Sequence, residues 1–158
     1  MGLSAMHTQH REASSPSAES TSEPYLRSHR PTHALLSIKP VHAEAIFSGK
    51  KQFEFRRSIF RRDVQTVIVY MTSPVCRVVG EFDVEHVVSD DVAELWKRTE
   101  SKAGIDEDLF FRYFDGCEVG HAIAIGEVRR YQEPLHLKAT FGVRAPQSFI
   151  YVKPRHQE

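Results

Sequence analysis

The chain has 158 residues, 41% hydrophobic and 27% charged, with 21 Lys and Arg balanced by 21 Asp and Glu. That is the composition of one ordinary globular domain; it excludes a fibrous or wholly disordered chain, and no apolar run is long enough for a membrane-spanning helix. A net charge of zero gives no expectation of nucleic acid, so the distribution of charge must carry the information.

Residues 1–32 are rich in Ser, Thr, Pro, His and Glu and poor in aliphatics after Leu3. Such a segment buries too little apolar surface to offset its ordering entropy, so it reads as a disordered leader, with Met6 an alternative start. The N-terminus has no apolar signal-peptide core, which makes the cytoplasm the expected location. Two distant cysteines, Cys76 and Cys117, and nine scattered histidines form no CxxC or HExxH pattern. No metal or cofactor is expected on that count.

The domain is expected over residues 33–153, with a short tail at 154–158. Ala34 to Ile38 reads as a buried strand, ended at Lys39-Pro40 because a residue before proline avoids helical geometry. Pro40 opens a short helix with Val41, Ala45 and Ile46 on one stripe, and Gly49 suits its C-terminal stop. Residues 50–62 then hold six bases (Lys50, Lys51, Arg56, Arg57, Arg61, Arg62) and one acid, Glu54. Read as a strand, this stretch puts Phe53 and Phe55 on one face and Gln52, Glu54 and Arg56 on the other. An acid-base pair on a basic background suits a nucleobase or phosphate, or a catalytic pair; an edge-strand salt bridge gives the same pattern.

Thr66 to Met71 is β-branched and aromatic, a central strand, followed by a turn at Thr72-Ser73-Pro74. Val75 to Val88 alternates as a long strand, with Gly80 marking a bulge or a close backbone approach. Ser89 and Asp90 are candidate caps for a helix from Val92 to Lys102, anchored by Leu95 and Trp96 and ended by Gly104. Ile105 to Phe114 reads as a second helix whose Leu109, Phe110, Tyr113 and Phe114 recur at core spacing. Residues 81–108 carry ten acids against Lys97, Arg98 and Lys102, so this helical pair is acidic where residues 50–62 are basic. His121 to Val128 is a further strand, and Arg144 to Val152 a closing one. Five to seven strands with about three short helices favour an α+β fold, a small mixed β-barrel, over a doubly wound sheet. The GxGxxG and GxxxxGK[ST] loops are absent from the sequence.

Leu36-Ser37-Ile38-Lys39-Pro40, then Ala43, Ile46, Gly49, Lys51, Glu54 and Arg56, resembles the signature of ASCH domains in the PUA-like superfamily. The G-x-K-x-x-E-x-R pattern matches at Gly49, Lys51, Glu54 and Arg56, and YMTSP, VGEF, ELW, FxxYFxG and APQSF extend the likeness over residues 34–152. The resemblance implies a PUA-like barrel with a ligand cleft beside the helix and the basic strand. Lys51, Glu54 and Arg56 would line it with Lys39 nearby, and Arg57, Arg61 and Arg62 would extend the positive surface to backbone phosphates. Arg56 suits bidentate donation to a phosphate or guanine edge, and Glu54 suits accepting from an exocyclic amine.

The resemblance leaves three functions open. One is a module binding RNA or a nucleotide-like ligand, with or without a regulatory role. A second is a small hydrolase using Lys51 and Glu54. Some ASCH relatives deacetylate N4-acetylcytidine with a lysine, a threonine and a glutamate, and another branch cuts RNA. Glu54 stands where the first group has its threonine, and Thr72 and Ser73 are the alternative hydroxyls. The third is a protein-interaction module using the acidic helices. Glu54 buried in a pocket favours the first two; Glu54 exposed on an open edge favours the third.

Overall fold

The structure, a computed structural model, describes residues 32–155. The expected leader lies almost wholly outside these residues, as do the last three positions of the expected tail. Six strands form one mixed sheet: β1 (Thr32–Ile38), β2 (Phe53–Arg56), β3 (Val64–Met71), β4 (Arg77–Asp91), β5 (Val119–Leu135) and β6 (Phe149–Val152). Four α-helices accompany it: α1 (Pro40–Phe47), α2 (Val92–Thr99), α3 (Glu107–Tyr113) and α4 (Leu137–Phe141), with a 3-10 turn at Glu100–Lys102. The strand order is β2-β5-β4-β3-β1-β6, antiparallel except for β1 against β3. This is the expected α+β architecture, a strongly curved, barrel-like sheet.

β1 is buried on both faces, which is why ALLSI is apolar at every position but Ser37 rather than alternating. Its Ala34, Leu36 and Ile38 face an interior core with Ala43 and Ile46 of α1, Val67 and Val69 of β3, and Phe82 of β4. Its Leu35 faces the opposite way, onto Ile68, Tyr70, Val78 and Leu137 of α4. A third cluster joins Phe55 of β2 and Ala122 of β5 to Leu95 of α2, to Phe110 of α3 and to Phe114 at its C-cap. The acidic helices therefore clamp the outer face of β2, and the clamp is aromatic: Phe55 meets Phe110 edge to face at 5.0 Å.

Several boundaries differ from the sequence reading for physical reasons. The basic stretch is a strand only over its four central residues, and residues 57–63 form an irregular loop. β5 continues to Leu135, beyond the expected Val128 and through Pro134. Past Ala124 it has no β2 beside it and pairs only with β4, and a proline is tolerated on such an edge. Ser89 and Asp90 do not cap α2, because both still belong to β4, opposite His121 and Gly120. The N-cap position falls to Asp91, with no side-chain bond. Residues 142–148 are loop, so the closing strand keeps only Phe149–Val152.

Gly80 meets both expectations. The β3–β4 and β4–β5 ladders slip beside it, and an added Cβ would lie 2.5 Å from the Arg129 carbonyl oxygen and 2.7 Å from the Phe47 ring. Gly80→Ala should therefore lower stability by about 1–3 kcal/mol through overpacking. Equilibrium urea denaturation measures it, and an unchanged midpoint would mean the bulge can relax outward.

Candidate functional site

β2 and β6 are the two edges of the curled sheet, and among the described residues no ladder joins them. The seam is spanned by a side chain instead. Arg56, the last residue of β2, donates through Nη2 to the Ser148 carbonyl oxygen at 2.9 Å and to Ser148 Oγ at 2.8 Å, just before β6. Ser37 of β1 secures the same turn, donating its N–H to Ser148 O at 3.2 Å and its hydroxyl to Pro146 O at 2.6 Å.

A cleft of about 460 Å³ opens beside this seam. Lys51, Glu54 and Arg56 line it, and they are 3%, 6% and 8% exposed. Burial this deep of three ionisable groups is rare without mutual pairing. Glu54 Oε1 sits 3.4 Å from Arg56 Nη1, and Glu54 Oε2 sits 3.4 Å from Lys51 Nζ. Oε2 meets Lys51 only at ion-pair distance and accepts no closer hydrogen bond among the described residues. Lys51 Nζ donates to the Phe53 carbonyl oxygen and lies 4.6 Å from the centre of the Phe55 ring. Period-two alternation produces this layout: the phenylalanines turn to the helices while Glu54 and Arg56 turn to the cleft.

Burial pulls the Lys51 ammonium below the usual lysine range, against the opposing pull of Glu54. His42 of α1 lines the same cleft and is lowered by its own burial and then by the Lys51 charge. Burial raises the Tyr113 phenol. The backbone around Lys51 is fixed from two sides: its N–H donates to Ala45 O, and Gln52 N–H donates to Lys102 O. Gly104 lets the 3-10 turn approach, since it has φ +66° and a Cβ there would lie 2.5 Å from that of Lys51.

The candidate residues divide into two groups. Lys39, Lys51, Glu54, Arg56 and Arg57 all line the cleft, Lys39 at the N-cap of α1 and Arg57 at the rim. Arg57 is braced there by Cys117 Sγ at 3.2 Å and Asp115 O at 3.2 Å. Arg61 and Arg62 do not line it; they lie on the exposed loop, where the Arg62 guanidinium stacks 4.4 Å from the centre of the Tyr151 ring. Thr72 and Ser73 are absent from the cleft lining, and its hydroxyls come from Ser37, Ser58, Ser148 and Tyr113. His42, Ser148 and the wall of Ile105, Leu109 and Tyr113 were missed by sequence reasoning. Of the four residues at core spacing, only Phe110 and Phe114 are core; Leu109 and Tyr113 line the cleft, and Tyr113 is 37% exposed. APQSF contained the signal for Ser148, but its partner lies 92 residues away. Among the described residues no three His, Cys, Asp or Glu side chains converge on a metal position. No helix among them is long and apolar enough to cross a membrane.

Residues 36–151 match the ASCH domain family. The chain belongs to that family. The large ribosomal subunit protein uL22 of Ureaplasma parvum serovar 3 is 28% identical over 120 residues, covering 75% of this chain and 39% of that protein. The ASCH domain thus spans well under half the length of the first curated relatives it matches. An ASCH domain-containing ribonuclease of Zymomonas mobilis subsp. mobilis is 34% identical over 125 residues, covering 76% of this chain and 84% of the relative. The crystal structure of ASCH from Zymomonas mobilis superposes with a TM-score of 0.69 at 34% identity, over 77% of this chain and 87% of that one.

The Lys51 position sets a pH dependence. An ordinary lysine titrates near 10.5 and folded Lys51 below that. Between the two values the unfolded chain binds more protons, so stability rises with pH through that window and is lowest below it, where the buried ammonium stays charged. Lys51→Met keeps the chain length and removes the charge. Its stability relative to the parent should therefore fall steadily as pH climbs toward 10.5, measured by denaturation at several pH values. A difference independent of pH would mean that Glu54 holds the ammonium at the ordinary lysine value.

Proposed function

We propose that this ASCH domain acts on RNA, drawing one unpaired nucleotide into the cleft between α1, β2 and α3. The observation that carries this reading is the buried Lys51–Glu54–Arg56 cluster on the wall of an open cleft. Structural ion pairs gain nothing from a cavity at their side, whereas a ligand-reading site requires one. The cleft has a charged side and, across from it, the apolar edges of Ile105, Leu109 and Tyr113. A nucleobase has the matching form, with a polar rim and an apolar face. Glu54 is the acceptor on the charged side for a base N–H, and Lys39 and Arg57 are the cations for a phosphate. Duplex RNA has no base free to enter, so single-stranded RNA is the expected form.

Cleavage of the bound strand is the second reading, favoured by the proton-transfer groups in the cleft. Phosphodiester cleavage needs a base, an acid and a cation near the phosphorus. His42 and Lys51 both have lowered proton affinity, Glu54 is a carboxylate, and Arg56 is a fixed cation. The ribonuclease-named relative supports this reading too.

Single-stranded RNA should bind the domain with an affinity that falls steeply as salt rises. Arg57→Ala or Arg61→Ala should each reduce the log–log salt slope by about 0.7. Binding that ignores salt, or duplex bound as tightly as single strand, would sink the first reading. For the second, Glu54→Gln should retain a cooperative melt while losing cleavage by about 10²-fold or more even at saturating RNA. Unaltered cleavage in that variant would place the chemistry elsewhere.

A further inference from the structure

Loop 57–63 separates the cleft from a second cavity of about 450 Å³ on its far side. Arg57 and Ser58 face the first; Phe60, Arg62 and Asp63 face the second. We propose that this second cavity is a subsite for the base of the neighbouring nucleotide in the same RNA strand, and the proposal rests on the RNA reading of the cleft.

The chemistry of the lining selects a base rather than a phosphate. Phe60, Val84 and Val87 supply apolar surface, and Phe60 is held edge to face by Phe149 at 5.0 Å. Asp63 and Glu85 also line the cavity and sit in no ion pair among the described residues. Arg62 is the one Lys or Arg in the lining and lies over Tyr151, so the two carboxylates leave the wall net negative, which disfavours a phosphate, while they accept from the amino and imino groups of a base. Gln65 and His86, both exposed on the wall, add groups that donate as well as accept. The phosphate between the two bases then falls on the loop, where Arg61 is exposed and the Arg62 guanidinium lies over the Tyr151 ring.

Sheet register makes the two cavities neighbours. Arg56 of β2 pairs with His121 of β5, and His121 pairs with Ser89 of β4, which lines the second cavity. Two strand spacings, roughly 10 Å, separate the backbone of Arg56 from that of Ser89. Ser89 Oγ and His121 Nδ1, 2.7 Å apart, tie this row together. The β4–β5 ladder also slips twice at the cavity wall, at Phe82/Val84 and at Val84/His86. Bulges of this kind re-aim side chains, and here they do so at Glu85 and His86.

The test compares ribonucleoside 5′-monophosphates with 2′-O-methyl oligoribonucleotides of two to six residues, which resist cleavage. The dinucleotide should bind about tenfold or more tighter than the monophosphate, the contribution of one further stacked base. The Gln65→Ala/His86→Ala variant should lose that advantage while its monophosphate affinity and melting temperature stay unchanged. A dinucleotide with one abasic residue should lose the same advantage on the unaltered protein, which removes any dependence on how the variant folds. Equal binding of monophosphate and dinucleotide, or an advantage that survives both changes, overturns the second subsite and leaves the cleft reading standing. Failure of every probe to bind overturns both.

Discussion

Arg56 is the constraint around which the domain is arranged. The sheet curls until its first and last strands in spatial order face each other, but they are not hydrogen-bonded along their length. One guanidinium crosses the gap to Ser148, while its other face meets Glu54. Burying that charge would be prohibitive alone; it is tolerated because Glu54 neutralises it and Ser148 takes up its donors. Lys51 then follows as the second cation against the same carboxylate. A missing ladder at the seam and a buried charge cluster are two aspects of one arrangement, since a fully paired sheet would leave no opening beside β2.

The rest of the fold holds that arrangement in place. α1 lies across the interior core with its N-terminal end at the cleft, which brings Lys39 and His42 there. The α2–α3 pair packs on Phe55 through Trp96, Phe110 and Phe114 and so fixes the outward face of β2. With one face of a four-residue strand locked by aromatics, the other face has no freedom to turn. The acidity of α2 and α3 lies on their solvent side, and their energetic part in the site is apolar. The same helix α3 also turns Leu109 and Tyr113 to the cleft, so a single helix supplies both anchor and wall.

The sequence was most informative where local geometry decides the outcome. Period-two alternation over four residues was enough to separate Phe53 and Phe55 from Glu54 and Arg56. The proline and glycine around α1 were enough to bound that helix. It was least informative where contacts are distant. Nothing local in Ser148 announces an arginine partner 92 residues earlier, and nothing in Tyr113 distinguishes it from Phe114, one residue further round the helix. The helical spacing was read correctly, but spacing says which residues share a stripe and not what stands opposite each edge of it. β5 runs past the expected Val128 to Leu135, and only the sheet order reveals that its last part is an edge, where Pro134 is tolerated.

The pairing of β1 with β6 has a consequence of a different kind. Its register sets His33 beside Val152, so the first and last strands of the domain enter and leave at the same point. A domain with adjacent ends can be joined to another polypeptide through either end, or set within one, without a linker that must reach around the fold. Its hinge point lies at the outer end of the β1–β6 pair, so the strain of such a junction would be borne by two neighbouring strands alone. The ASCH unit is in that sense portable, in line with the uL22 relative of which it covers 39%.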